Sequence, residues 1–267
     1  VDSALLLKLL FTSQPLSIQV HPDDAFARSL GLARGKSEAW YVLSAAPDAR
    51  IAVGLKQRIT PQQLRAAAAD GSIANLVAWR GVSPGDVILV PAGTIHAIGP
   101  GLVIAEIQQR SDATFRLFDH GRQRELHIES AVAVANPGPA DFQAEPNPLS
   151  AERTLLVSTP HFVFEKIDLP PDSTWSLEAE PETWLLVVNG SGRAGSFDVA
   201  IGDAVFVQSD RVDMRTGNSG MVALVAYPGG REAPNLLRRL DQPDATNAEN
   251  PRKIRAAPTH GRLETTK

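Results

Sequence analysis

Four residues of this 267-residue chain have the types and spacing to gather round a divalent ion. Gln19-Val20-His21 sets an amide and an imidazole two positions apart, on one face of a strand, because side chains alternate along extended backbone. Glu38 opens the next apolar run, straight after Gly35-Lys36-Ser37. His96 ends the string Gly85-x5-Pro91-x-Gly93-x2-His96. There Gly85-Asp86 makes a turn, 87–90 a strand, and Pro91-Ala92-Gly93 a second tight turn that swings the imidazole back toward an interior. Gln19, His21, Glu38 and His96 together offer two neutral nitrogens, one carboxylate and one amide oxygen. Such a set suits Zn²⁺, one per chain, or another borderline divalent ion, and leaves a position for water or substrate. Each residue alone has a plainer reading: Gln19 exposed on an edge, His21 capping the turn at Asp23, Glu38 solvated, His96 bonded to a backbone carbonyl in a core.

The elements that must position these residues are mostly short strands. Apolar runs at 16–20, 39–43, 87–90, 102–107, 162–167, 183–188, 204–207 and 221–226 are bounded by Gly, Pro, Asn or Asp. Many short strands with that punctuation predict a mainly β fold of sandwich or barrel type. Helices are expected at 23–30, at 126–134, and near 60–80, where Thr60 is placed to cap, Pro61 to start and Gly71 to stop one. The breaker-rich stretch 137–152 reads as a linker, which divides the chain into 1–136 and 153–240. A polar tail, expected to be flexible, follows over 241–267. Glu38-Ala39-Trp40-Tyr41-Val42-Leu43 is echoed by Glu182-Thr183-Trp184-Leu185-Leu186-Val187. Each is followed by a Gly-Asp pair leading an apolar strand, at 85–90 and at 202–207. Two copies of one β unit, the first with a helical insertion, account for this order.

Composition narrows the function. With no Cys, disulfide scaffolds, thiolate metal sites and thiol catalysis are excluded. A formal net charge of −4 argues against a nucleic-acid partner bound through a broad basic face. No apolar run approaches the roughly 20 residues of a membrane span. Residues 4–11 are apolar but interrupted by Lys8 and lack a basic start, so they make a poor secretory signal. A soluble, cytoplasmic protein is expected; oligomeric state, monomer or homodimer, is left open.

The Gly85-to-His96 string matches the second signature of the cupin barrel, a small jelly roll. Pro15-Leu16-Ser17-Ile18-Gln19-Val20-His21-Pro22-Asp23-Asp24, Lys36-Ser37-Glu38-Ala39-Trp40-Tyr41, Pro91-Ala92-Gly93-Thr94-Ile95-His96-Ala97-Ile98 and the run from Glu106 to Arg116 go further. In order, from about Leu5 to Val134, they resemble type I mannose-6-phosphate isomerases in their short bacterial form. The second half is similar only in layout. The resemblance implies two cupin-type jelly rolls, zinc on Gln19, His21, Glu38 and His96, and a catalytic arginine at Arg116. It also implies a further segment, with a Trp-Gly pair, ahead of Leu5. Arg110 departs from the family, which has a small polar residue there, and would add charge near a substrate phosphate.

The implied reaction interconverts mannose 6-phosphate and fructose 6-phosphate, an aldose–ketose isomerisation through a cis-enediol. It needs an electrophile at the carbonyl, a proton shuttle and cations for the phosphate. Lys36 and Glu106 are the candidates for the shuttle or ring opening, with Asp112 a weaker one; a solvated Lys36 and a Glu106 paired with Arg116 are the plain alternatives. Lys36, Arg110 and Asp112 are candidate substrate contacts, as are Arg122 and Arg124. In the second half Gln208, Asp210 and Asp213 stand where Pro91, Gly93 and His96 stand in the first, so a degenerate cupin without metal is expected there. The rival readings are a cupin oxidoreductase of dioxygenase type, which would use more histidines, and a non-catalytic sugar-binding cupin.

Overall fold

The computed structural model describes residues 3–141 and 144–241. From the N-terminus run β1 (Leu5–Thr12), β2 (Ile18–Val20), α1 (Asp24–Ser29), β3 (Glu38–Ala45), β4 (Arg50–Leu55), α2 (Pro61–Asp70), α3 (Ile73–Leu76), β5 (Val77–Gly81), β6 (Val87–Val90), β7 (His96–Ile98), β8 (Leu102–Gln109), β9 (Phe115–Phe118) and α4 (Ile128–Val134). There follow β10 (Asn147–Pro148), β11 (Arg153–Ser158), β12 (Phe162–Leu169), β13 (Thr174–Ala194), β14 (Phe197–Ala200), β15 (Ala204–Pro228) and β16 (Leu237–Arg239). The tail expected over 241–267 lies, beyond Asp241, outside the described residues.

Two antiparallel sheets face each other in the first half, ordered β1-β8-β3-β6 and β5-β4-β7-β2-β9. Alternation sends Trp40, Val42, Ile88, Val90, Leu102 and Ile104 of one sheet against Ile51, Val53 and Ile98 of the other. The opposite face of the five-stranded sheet packs Ile18, Val20, Ala97 and Leu117 against Leu64, Ile73 and Ala131 of the helices. The opposite face of the four-stranded sheet packs Leu5, Ala39, Ala105 and Ile107 against Phe162, Phe164, Leu186 and Leu224 of the second half. Helices, two sheets and a third sheet therefore stack as successive layers, and the interior of the first barrel is sealed on both flanks.

The helical insertion lies where its capping residues place it. Thr60 and Gln63 form a reciprocal capping box, with Pro61 at the first helical position and Gly71 at the end. The insertion, α2 and α3, joins β4 to β5.

The second half is a seven-stranded sheet, β10-β11-β12-β15-β13-β14 with β16 on β13, and it curls on itself. Leu185 of β13 pairs with both Val205 and Val225 of β15. Inside it lie Trp175, Leu177, Leu185, Val187, Val207, Met214 and Val225. Parts of the breaker-rich stretch 137–152 are tied to the sheets: Gly54 bridges Pro139, and β10 already pairs with β11.

The internal echo is real, but its register is displaced by one residue. Val42 N donates to Asp86 O (3.0 Å) while Gly85 N donates to Val42 O (2.8 Å). Val187 makes the same pair with Asp203 (3.0 Å) and Gly202 (2.9 Å). Gly85 and Gly202 share φ values of +94° and +92°, and Asp86 and Asp203 each accept from the amide three residues before them. Val42 thus matches Val187, Trp40 matches Leu185, and Glu38 matches Thr183 rather than Glu182. A slip of one residue exchanges the two faces of a strand. Glu182 accordingly accepts bonds from Ser3 Oγ and from the amides of Ala4 and Leu5. Gln208, Asp210 and Asp213 all lie exposed.

Phe164 is fully buried where the two halves meet. Phe164→Ala is expected to cost about 3–5 kcal/mol of unfolding free energy, read from the urea midpoint; a loss under about 1 kcal/mol would show that this interface repacks freely.

Candidate metal centre

The residues that converge inside the first barrel come from both of its sheets. On the five-stranded sheet Gln19 of β2 is paired directly with His96 of β7 and with Arg116 of β9. Directly paired residues of antiparallel strands share a face, so all three are on the face that carries His96 into the barrel. On the four-stranded sheet Glu38 of β3 is paired with Gln108 of β8, and Trp40 with Glu106. Every second residue of β8, Leu102, Ile104, Glu106 and Gln108, faces the interior: apolar at the floor, polar toward the end where Glu38 lies.

One ligand atom each of His21, Glu38 and His96 lies within 4.8 Å of the others, and all three residues are buried. Their hydrogen bonds turn the imidazoles correctly for ligation. His21 Nδ1 donates to Ala113 O (2.9 Å) and His96 Nδ1 to Thr94 O (2.8 Å), which leaves both Nε2 lone pairs facing Glu38. Burial lowers the pKa of both rings, to about 3 for His96, so both are neutral at physiological pH. Burial disfavours the Glu38 charge, but Lys36 and the imidazoles beside it hold the carboxyl well below the usual carboxylate range. Trp40 Nε1 donates to Glu38 Oε1 (3.1 Å). Oε2 makes no hydrogen bond and meets Lys36 Nζ only as an ion pair, at 2.9 Å. A buried carboxylate with one oxygen free of hydrogen bonds, beside two neutral imidazoles whose Nε2 atoms both point toward it, fits a borderline divalent cation.

Gln19 stands beside this trio with its amide nitrogen 3.2 Å from His96 Nε2, while its oxygen accepts from Ser17 Oγ. Ligation through Oε1 requires the amide to turn over. Lys36 is buried and donates to His21 Nε2 (3.1 Å). Its ammonium stays charged: burial opposes this, but Glu38 and Glu106 raise its pKa. Glu106 does not pair with Arg116; its partner is Lys8, at 3.4 Å. Burial and the neighbouring Glu38 charge raise its pKa to about 7. Arg116 is half-buried, and its Nε has no hydrogen-bond partner. Arg110 and Asp112 are exposed on the rim. Arg122 and Arg124 are turned away to clasp the buried Asp119 carboxylate, at 2.8 and 2.6 Å.

Three contributors escaped the sequence reading. Trp40 holds Glu38; Lys8 holds Glu106 and donates to Gln108 Oε1 (2.7 Å). Gln109 accepts from Ser37 N (2.9 Å) and donates to Asp24 Oδ1 (3.0 Å). Asp24 in turn accepts from Gly35 N (2.8 Å). At Gly35 a Cβ would fall 2.4 Å from the Asp23 backbone, so only glycine lets the segment bearing Lys36 and Glu38 lie this close. For Lys8 the signal was available, as a lone charge inside an apolar strand.

No family model matches the chain. It is 40% identical over 199 residues to the mannose-6-phosphate isomerase of Streptococcus mutans, a match covering 71% of this chain and 62% of the relative. It is 39% identical over 137 residues to mannose-6-phosphate isomerase ManA of Bacillus subtilis, covering 49% of this chain and 43% of the relative. The crystal structure of a B. subtilis mannose 6-phosphate isomerase superposes with a TM-score of 0.75 at 28% identity, over 84% of this chain and 74% of that one. The chain thus spans about three fifths of the length of the first of these relatives. An aligned length of 199 residues also carries the similarity past 134, into the second half. In sequence the chain is similar to proteins named mannose-6-phosphate isomerase, and it shares the cupin-type fold of the B. subtilis structure.

Proposed function

We propose that this chain interconverts mannose 6-phosphate and fructose 6-phosphate, with one Zn²⁺ held by Gln19, His21, Glu38 and His96. The observation that carries the reading is the convergence of two neutral imidazoles on a buried carboxylate, beside Lys36 and Glu106, in a chain homologous to proteins of that name. The bound ion would supply a Lewis acid that polarises the sugar carbonyl and steadies developing negative charge on its oxygen.

The chain's own groups divide the remaining work. The isomerisation removes the proton at C2 of the open-chain aldose; its electron pair forms the C1–C2 double bond of a cis-enediol. The C1 carbonyl pair meanwhile moves onto O1, which takes a proton; a proton then returns to C1 as O2 gives up its own proton and becomes the carbonyl of the ketose. Glu106, with a pKa of about 7, is near half ionised at neutral pH and can both take and return that proton. Lys36 remains an ammonium. Its two present contacts, His21 Nε2 and Glu38 Oε2, are atoms that would hold the ion, and their engagement there would leave Lys36 free to meet a substrate oxygen. Arg116 faces the same interior with an unpartnered Nε; its part is to donate to and stabilise the enediolate rather than to act as base.

Three outcomes test this assignment. His96→Ala is expected to lose bound zinc and turnover together, by metal analysis and a coupled assay for fructose 6-phosphate; retention of both would refute the ligand set. Arg116→Ala should keep its metal and lose a factor of about 10² or more in kcat, as removal of an electrostatic stabiliser does. Trp40→Phe removes only the donor to Glu38 and should weaken zinc affinity by about 10-fold or more, measured by competition with a chelator. An unchanged affinity would mean that the indole merely fills space.

A further inference from the structure

The role proposed for Arg116 falls on a strand with a neighbouring strand on one side only. In the five-stranded sheet, ordered β5-β4-β7-β2-β9, β9 is outermost. Its ladder with β2 is irregular at this point. Gln19 pairs with Arg116 but Ile18 pairs with Phe118, so Leu117 is the extra residue of a bulge. A bulge disrupts the ladder locally and re-aims the side chains beside it.

The outer edge of β9 is met by His127. His127 N donates to Arg116 O (2.8 Å), and Arg116 N donates to His127 Nδ1 (3.4 Å). Both backbone groups of an antiparallel strand residue point to the same side. Those of Arg116 therefore point away from β2, and His127 takes both, in place of a further strand. The imidazole makes no capping bond to α4, although His127 is its N-cap residue. Its bond to the backbone of β9 is thus not explained by the start of the helix.

His127 has a firm mount. Its ring centroid lies 6.2 Å from that of Phe115, and its carbonyl accepts from Ala131 N (2.8 Å). α4 packs Ile128 and Ala131 with Ile18 and Leu117. Arg65 of α2 grips Glu129 of α4 through Nε–Oε1 (2.7 Å) and Nη2–Oε2 (2.8 Å). The helical insertion thereby reaches the metal centre through α4, His127 and Arg116. The Nε of Arg116 is buried without a hydrogen bond, which leaves the backbone to set where its side chain starts.

We infer that His127 is a positioning residue for Arg116: by holding both outward backbone groups of that residue it fixes, from outside the barrel, where the guanidinium meets developing charge. The inference rests on the isomerase reading for what Arg116 does, but not for how Arg116 is held.

Amide hydrogen exchange and steady-state kinetics of zinc-loaded His127→Leu and His127→Asn variants test it. Leucine offers no acceptor, whereas the Oδ1 of asparagine can stand near the place of Nδ1. His127→Leu is expected to speed exchange at the Arg116 amide by about 10-fold, the order of one lost hydrogen bond. It should lower kcat by a similar factor while KM and bound zinc change little, and His127→Asn should recover most of both losses. In an Arg116→Ala background His127→Leu should cost no further kcat, since residues that act as a unit are not additive. Unchanged exchange at Arg116, an undiminished kcat, or a full second loss in the Arg116→Ala background overturns the positioning role. Faster exchange at Arg116 in His127→Leu, when the unsubstituted chain itself turns over no mannose 6-phosphate, supports the anchoring and defeats the isomerase reading instead.

Discussion

A carboxylate that is 1% exposed, between two imidazoles that burial keeps neutral, dominates the interior of this protein. A charge so placed is costly unless a cation meets it. Lys36 supplies one positive charge at 2.9 Å, and the three converging ligand atoms are arranged to hold another. The consequence reaches Glu106: one buried negative charge makes a second costly nearby, which is part of why its pKa rises to about 7. Two carboxylates in one barrel thereby take different protonation behaviour, Glu38 held ionised and Glu106 pushed up to about 7.

Holding that charge requires a rigid and dry surround. Helices seal the outside of the five-stranded sheet, and the third sheet seals the outside of the four-stranded one. Both flanks therefore exclude water, and the approach to the metal centre is left to the end of the barrel where polar residues replace the apolar floor. The support of the ligands is local as well. Trp40 on Glu38, Thr94 O on His96 and Ala113 O on His21 each fix one ligand, while Gln109 and Asp24 fix the backbone that carries Lys36 and Glu38.

The second half repeats the turn of the first with different residues around it. The turn at Gly202-Asp203 keeps the geometry of Gly85-Asp86 down to its paired hydrogen bonds. Yet the residue matching Glu38 is Thr183, and the glutamate next to it faces the other way, where it caps the amides at the start of β1. The same residue type faces the candidate metal centre on one face of a strand and joins the two halves on the other.

What the sequence by itself determined was whatever depends on neighbours along the chain. The strand-breaker punctuation, the capping box of α2, the alternation that pairs Gln19 with His21, and the turn that returns His96 to the interior are all local. β1 escaped because both its faces carry apolar residues, most of them half-buried, so that it reads as an apolar run without period, broken only by Lys8. Tertiary structure alone decided the rest. It paired Glu106 with Lys8 across two strands, brought Ala113 O onto His21 and Gln109 onto Asp24, and shifted the repeat by one residue. The physical reason is that strand register and sheet packing choose the partners of a side chain, and neither is written in spacing along the chain.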